Sequence, residues 1–339
     1  MTSNDPMAAR AGSKPSLCGP LQGVTLVTDN SAATTQFLTQ AMRMQLVADD
    51  GPATTEARWR RRLWGIAEGL SWRELTFRGT DTAQGITVRV LVMAGGEIIR
   101  PGMDSRLTGG LSIGYPVASL PVTLGRVTAL GVENTAGIVP LTITRPDGTS
   151  YVSGEILFRG PEQIYMLAVG RPADMIPVGP IDPTTGIGGP AYSAMVVPDA
   201  LREIEFYQQV LGWEARQNIV LTTSGPAGGL GLDAGTQFRF VQLFAPGASS
   251  AYVVLLDMMA TKRDNPVVPR IPNRGLVLWT FGTHVFDEVE HRVRRYAAAG
   301  SGSGSAQVAG VTGERTLTVL SPAGLMIEIV EQPTKDRAT

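Results

Sequence analysis

Histidine is nearly absent from this sequence: His284 and His291 are the only two in 339 residues. They lie seven positions apart in a helical stretch, a rise of about 10.5 Å, whereas imidazoles sharing an ion must each bring a nitrogen to about 2 Å from it. A two-histidine, one-carboxylate iron site within one chain is therefore disfavoured. With Glu288 the pair makes a stripe at spacings of four and three, which reads as a solvated helix face. Cysteine is scarcer still. Cys18 alone cannot form an internal disulfide, and without an activating neighbour it reads as a surface thiol. It falls in a polar segment, residues 1–20, that is expected to be disordered and lacks the apolar core of a signal peptide, so the expected compartment is cytoplasmic. No run approaches the ~20 apolar residues that span a bilayer. Excess charge is missing too, with 29 basic against 30 acidic residues and one short basic cluster from Arg58 to Arg62. That balance argues against nucleic acid or an anionic membrane as partner and favours a small neutral molecule as ligand. No GxSxG elbow or CxxC pair occurs, and GIGG at Gly186 to Gly189 lacks the following helix that a phosphate cradle needs.

What the chain has is length for two domains and 43% hydrophobic residues to fill their cores. The stretch AYSAMVVPDALREIEFYQQVLGWEARQ, from Ala191, gives an extended apolar run, a break at Pro198 and Asp199, and a helical pattern on Leu201, Ile204, Tyr207 and Leu211. The same order of strand, cap and helix recurs from Leu21, with the helix over Ser31 to Met42. It returns from Gly109, and from Gly275 with a helix over His284 to Ala298 capped at Thr283. Strand candidates follow each helix, and a basic, tryptophan-bearing segment, ARWRRRLWG, interrupts the first unit. The segment 171–190 is dense in proline and glycine and reads as a linker. The expected organisation is a disordered 1–20, an N-terminal domain of two units over 21–170, the linker, a C-terminal domain of two units over 191–333, and a tail, 334–339.

At the C-terminus, LSPAGLMIEIVEQP has a turn at Ser321, Pro322 and Gly324 followed by a strand carrying Glu328. Together with the unit at Ala191, it resembles the module of the vicinal oxygen chelate superfamily, which includes glyoxalase I, bleomycin-resistance proteins and extradiol dioxygenases. The resemblance implies an α+β fold of tandem βαβββ modules paired into two open mixed-sheet barrels, with a metal held by first and last strands. Glu328 matches the last-strand glutamate, four residues after the turn glycine. The first-strand positions, at Gly23, at Tyr192 or Ser193, and around Val277 to Trp279, hold no histidine. No cofactor is assigned; magnesium, manganese or iron on carboxylates such as Glu328 and Asp257 is the lesser alternative.

By alternation Glu328 shares its face with Met326 and Val330, so it points into a lined cavity, where desolvation is expected to raise its pKa and suit it to act as a base. Tyr192 is the second candidate catalytic group. Substrate-binding candidates are Arg239, which alternates with Phe238 and Phe240, Gln242 on the opposite face from it, Asp257 at the end of YVVLLD, and Trp279 and Thr280, one of which must face the cavity. The glycine-rich TTSGPAGGLGLDAG, from Thr222, reads as a loop over the C-terminal cavity. The favoured function is proton transfer on an apolar or aromatic metabolite (isomerase, lyase or ring-opening) with Glu328 as base. The alternatives are a non-catalytic binding protein and, more weakly, a metal-dependent dioxygenase or lyase with an atypical ligand set. A monomer or homodimer is expected.

Overall fold

Four segments of the chain each run strand, helix, three strands, and the computed structural model describes them over residues 16–51, 54–80, 85–144, 148–223, 229–299, 307–311 and 314–333. Module 1 comprises β1 (Leu21–Thr28), α1 (Ser31–Gln36), β2 (Gln45–Asp50), the inserted α2 (Thr54–Trp64), β3 (Trp72–Arg78) and β4 (Thr87–Met93). Module 2 comprises β5 (Gly109–Pro116), α3 (Leu120–Ala129), β6 (Val139–Thr144), β7 (Ser150–Arg159) and β8 (Tyr165–Gly170). Module 3 comprises β9 (Tyr192–Val196), α4 (Ala200–Phe206), β10 (Glu214–Thr222), β11 (Gln237–Phe244) and β12 (Tyr252–Asp257). Module 4 comprises β13 (Gly275–Thr283), α5 (Phe286–Ala298), β14 (Gln307–Val311), β15 (Glu314–Leu320) and β16 (Met326–Glu331).

Short polar residues set the helix starts. Asn30 accepts from the Ala33 amide, Ser119 from Val122, and Asp199 from both Leu201 and Arg202. Helices α1 and α4 each continue into one π-turn, Phe37–Ala41 and Tyr207–Leu211. Thr283 is not the cap of α5. Its hydroxyl accepts from the Val285 amide at 3.1 Å in the turn before the helix, whose buried stripe is Phe286, Val289, Val293 and Tyr296. No helix among the described residues is long and apolar enough to cross a membrane.

The modules form two eight-stranded mixed sheets, in the order β14, β15, β16, β13, β1, β4, β3, β2 and the order β10, β11, β12, β9, β5, β8, β7, β6. The expected pairing of first with second and third with fourth module is thus corrected: module 1 pairs with module 4, and module 2 with module 3. The linker supplies the reason. It bridges β5 at Val117 and Ile187, and its end donates from Gly188 to Pro116 and from Ala191 to Gly114, so it delivers β9 directly onto the free edge of β5. With that edge taken, β13 pairs antiparallel with β1. The sequence halves are therefore not the two sheets.

One face of each sheet bears the helices, and these faces share a single core that includes Val24, Ile113, Met195, Trp279, Phe281 and Ile327. Each opposite, inner face lines a cup with its own apolar cluster. Residues 16–20 are not disordered. The Cys18 amide donates to Leu211 and that of Gly19 to Gly282, and the Cys18 side chain is fully buried in the shared core, where burial pushes its thiol up to about 12. Cys18 is therefore an inert packing group and not a surface thiol. Residues 1–15, the tail 334–339 and the glycine-serine connection 300–306 lie outside the described residues.

Candidate functional site

In the first cup, strand alternation turns Thr280 of β13, Arg89 of β4 and Glu328 of β16 inward, and Thr280 and Glu328 stand opposite each other in the ladder. The Glu328 side chain is buried, and three donors hold it. Trp64 Nε1 donates to Oε1 at 3.0 Å, while Thr280 Oγ1 at 2.8 Å and Arg89 Nη1 at 3.2 Å donate to Oε2. Arg89 also pairs with Glu74 at 3.3 Å, and Arg60 ion-pairs with the other Glu74 oxygen. The Arg60 and Arg89 guanidiniums lie 5.3 and 5.4 Å from the Trp64 ring centre. Trp64 and Arg60 come from α2, the insertion ARWRRRLWG, which packs its last turn across the inner face with Leu63, Leu91, Met93 and Met326.

Two expectations are revised here. Glu328 does face a lined cavity, but the cavity is filled by α2. Its pKa is lowered, not raised: desolvation opposes the charge, and the Arg89 cation with the Thr280, Trp64 and Arg89 hydrogen bonds outweighs it. A carboxylate so held is a weak base, and three of its about four acceptor positions are taken.

Of the other predicted residues, Thr280 joins Glu328 in this cup and the rest scatter. Trp279 points to the opposite side, into the core between the sheets, where Nε1 donates to Ser193 Oγ at 2.9 Å, so it cannot bind substrate. Arg239 lies on the helix-bearing side of β11 and donates to Asn218 at 2.7 Å. Asp257 accepts from the amides of Ala200 at 3.3 Å and Met259 at 2.9 Å, which makes it a cap for α4 and the following turn. Gln242 shares the inner side of β11 with Phe240 and Phe244. Tyr192 does line a cup, but it is the second one, on a different sheet from Glu328.

The implied divalent metal does not fit the first cup. Both Glu328 oxygens are occupied, Arg89 brings a guanidinium where a cation would have to sit, and the first-strand position is Gly23, wedged between Thr87 and Thr280. Among the described residues no three His, Cys, Asp or Glu side chains come together.

The second cup has a different chemistry. Tyr192 of β9, Tyr252 of β12 and Phe244 of β11 stack in a row, with centroids 5.0 and 4.3 Å apart and planes 19° from parallel in both pairs. The ring of Tyr192 lies over Gly114 of β5, where an added Cβ would stand 2.1 Å from Cε1. Two strands further on is Glu155 of β7, opposite Val169 of β8. It is half-buried and has no hydrogen-bond or ion-pair partner among the described residues, and loss of hydration pushes its pKa up to about 7. Its charge helps to raise the Tyr192 and Tyr252 hydroxyls, whose main perturbation is burial, while Arg171 lowers both. Leu232 of the glycine-rich loop and Met103 belong to this cup's apolar cluster, so the described end of that loop packs with the cup of modules 2 and 3 and not with a cavity of modules 3 and 4. A cleft of about 330 Å³ is lined by Met103, Arg106, Arg159, Tyr165 and Leu230. A larger one, about 400 Å³, lies outside both cups, beside α1 and β2.

Sequence reading missed Glu155. The pattern TSYVSGEILFRG gave a signal: Ile156 and Phe158 claim one face, so Ser153, Glu155 and Leu157 must share the other.

No family model and no curated protein matches this sequence. Solved structures do match in fold. Glyoxalase I from Zea mays superposes with a TM-score of 0.62 at 12% identity over 92% of both chains, and a mutant form of the same enzyme with 0.63 at 13%, also over 92% of both. A putative dioxygenase from Bacillus subtilis gives 0.56 at 14% identity, covering 95% of this chain and 87% of that one.

Proposed function

We propose that this chain, which has the vicinal oxygen chelate fold, is a small-molecule enzyme that works by proton transfer in its second cup, with Glu155 as the base. The observation that carries the reading is a carboxylate without a partner among the described residues, on the inner face of the same sheet as Tyr192 and Tyr252, whose hydroxyls feel its charge. A base poised near neutrality combines a useful ionised fraction with useful basicity. Glu155 would take a proton from a substrate carbon or oxygen, and the Tyr192 and Tyr252 hydroxyls would donate hydrogen bonds to the oxygen where charge develops. Glu328 is assigned a structural role instead, and no step is routed through a metal.

Isomerisation, elimination and ring-opening all begin with such a transfer. The non-catalytic alternative, a binding protein, is supported by the aromatic row, which would hold a ligand without reacting. The two readings part in one experiment. Small aromatic and apolar metabolites are screened by ligand-observed NMR against wild type and Glu155→Gln, and hits are incubated in D2O. For the enzyme, hits bind both proteins and only wild type exchanges their acidic protons. Equal exchange in both proteins, or none in either, removes Glu155 as base.

A further inference from the structure

The cleft of about 330 Å³ forms where the connection from β4 to β5, the turn from β7 into β8 and the described end of the glycine-rich loop after β10 meet. Two arginines line it. Asp104 holds Arg106 along one edge, with Nε at 2.8 Å and Nη2 at 3.1 Å, and Glu133 holds Arg159 through Nε at 2.9 Å. Those carboxylates fix the guanidiniums without exhausting them. Arg106 Nη1 and both terminal nitrogens of Arg159 make no hydrogen bond among the described residues. On the glycine-rich wall the backbone amides of Gly229, Leu230 and Gly231 make none either. Asp104, the carboxylate of the lining, is shared between Arg106 and Arg263. Arg100 adds a fully buried positive charge that meets only the carbonyls of Asp104, Leu107, Gly109 and Gly110.

The backbone beside the cleft is strained. Gly102 and Met103 are left-handed, with φ of 68° and 58°, and they dock on Glu162 and Gln163, at 53° and 61°, where Gln163 Oε1 accepts from the Gly102 amide at 2.6 Å. Three of the six non-glycine residues with positive φ thus meet here, and strain of this kind is retained where it shapes a site. Tyr165 fixes the same segment by donating to the Met103 carbonyl at 2.8 Å. A Cβ added at Gly102 or Gly231 would meet nothing within 4 Å, so the space beside both is open. The free N–H groups of two arginines and three amides outnumber the about four acceptor positions of a carboxylate, whereas a phosphate monoester brings three strongly accepting oxygens. Met103 and Leu230 supply an apolar side to the same cleft.

We propose that this cleft binds a small phosphate monoester, with the phosphate held by Arg106, Arg159 and the amides of Gly229 to Gly231 and the apolar body against Met103 and Leu230. Glu155 stands opposite Val169, four residues along β8 from Tyr165, or about 13 Å. The inference therefore goes beyond the reading of the second cup and stands or falls independently of it.

The test is titration of the full chain with phenyl phosphate, inorganic phosphate and benzoate, followed by calorimetry and by amide NMR. Phenyl phosphate is expected to bind most tightly, to shift the Gly229 and Gly231 amides, and to lose affinity on the order of tenfold or more in Arg159→Gln. Arg73 lines the larger, outer cleft, and Arg73→Gln is expected to keep the wild-type affinity. Both side chains are largely exposed, and melting curves check that each variant is folded. Equal losses in the two variants overturn the proposal, because any surface arginine would then serve. Binding to wild type that leaves the glycine amides unmoved overturns it without recourse to a variant. Benzoate binding as tightly as phenyl phosphate removes the phosphate assignment, and inorganic phosphate doing so removes the apolar contact. Failure of both phosphates to bind at millimolar concentration overturns the site altogether.

Discussion

Replacing Glu328 by Gln tests whether the first cup is scaffold or active site. A glutamine amide has one acceptor oxygen, so it can serve either Trp64 Nε1 or the Thr280 and Arg89 pair, and whichever side it leaves faces an NH2 group instead. Arg89 then keeps Glu74 alone, at 3.3 Å, inside a cup closed by α2. Removing one partner of a buried ion pair costs about 3–5 kcal/mol. Unfolding entropy of about 2.1 cal/mol/K per residue gives roughly 0.7 kcal/mol/K for a chain of this length, so the melting temperature should fall by about 4–7 °C. The pH dependence has a definite sign. Glu328 has a folded pKa below its unfolded one, so its contribution is fully present above the unfolded value and is lost as pH falls through the folded value. The gap between wild type and variant should therefore narrow on acidification. Differential scanning calorimetry at several pH values measures it. A variant with wild-type stability and no turnover would falsify the structural assignment and return Glu328 to the reaction.

Glu203 predicts the opposite sign. It is fully buried in α4, with Oε1 accepting from Ser321 Oγ at 2.9 Å and from the Ala323 amide at 2.5 Å, and Oε2 has no partner. Burial raises its pKa from 4.5 to about 7, so between those values the folded state holds a proton that the unfolded state has lost, and stability should fall as pH rises through that window. Glu203→Gln should flatten this part of the profile and exceed wild type in melting temperature above pH 7; an unchanged profile refutes it. Gly114→Ala puts a Cβ where the Tyr192 ring lies, so the ring must leave its stack with Tyr252. The expected cost is about 1–3 kcal/mol with the fold retained. Near-ultraviolet circular dichroism should report the lost stacking, and an unaltered tyrosine signal would contradict the geometry.

What the sequence disclosed and what it hid divide along a physical line. Local patterns were legible: the apolar runs of β1, β9 and β13, the cap at Asp199, and the alternation that turns Glu328 inward beside Met326. The edge strand β10 was not, because EARQNIVLT mixes polar and apolar residues on both faces. The pairing of modules was hidden for a different reason. Any module's first strand offers the same free edge, and only the path of the linker along β5 decides that β9 takes it. The electrostatic character of the two inward carboxylates was hidden likewise. Alternation gives Glu328 and Glu155 equivalent places, each on the inner face of a sheet. What separates them is the set of partners: Trp64 and Arg89 reach Glu328 from 264 and 239 residues away in sequence, and none among the described residues reaches Glu155. A buried carboxylate given a cation and two further hydrogen bonds is held ionised and serves stability, while one given nothing stays near neutrality and free to move a proton. Pattern finds the carboxylate, and the long-range contacts decide whether it is available.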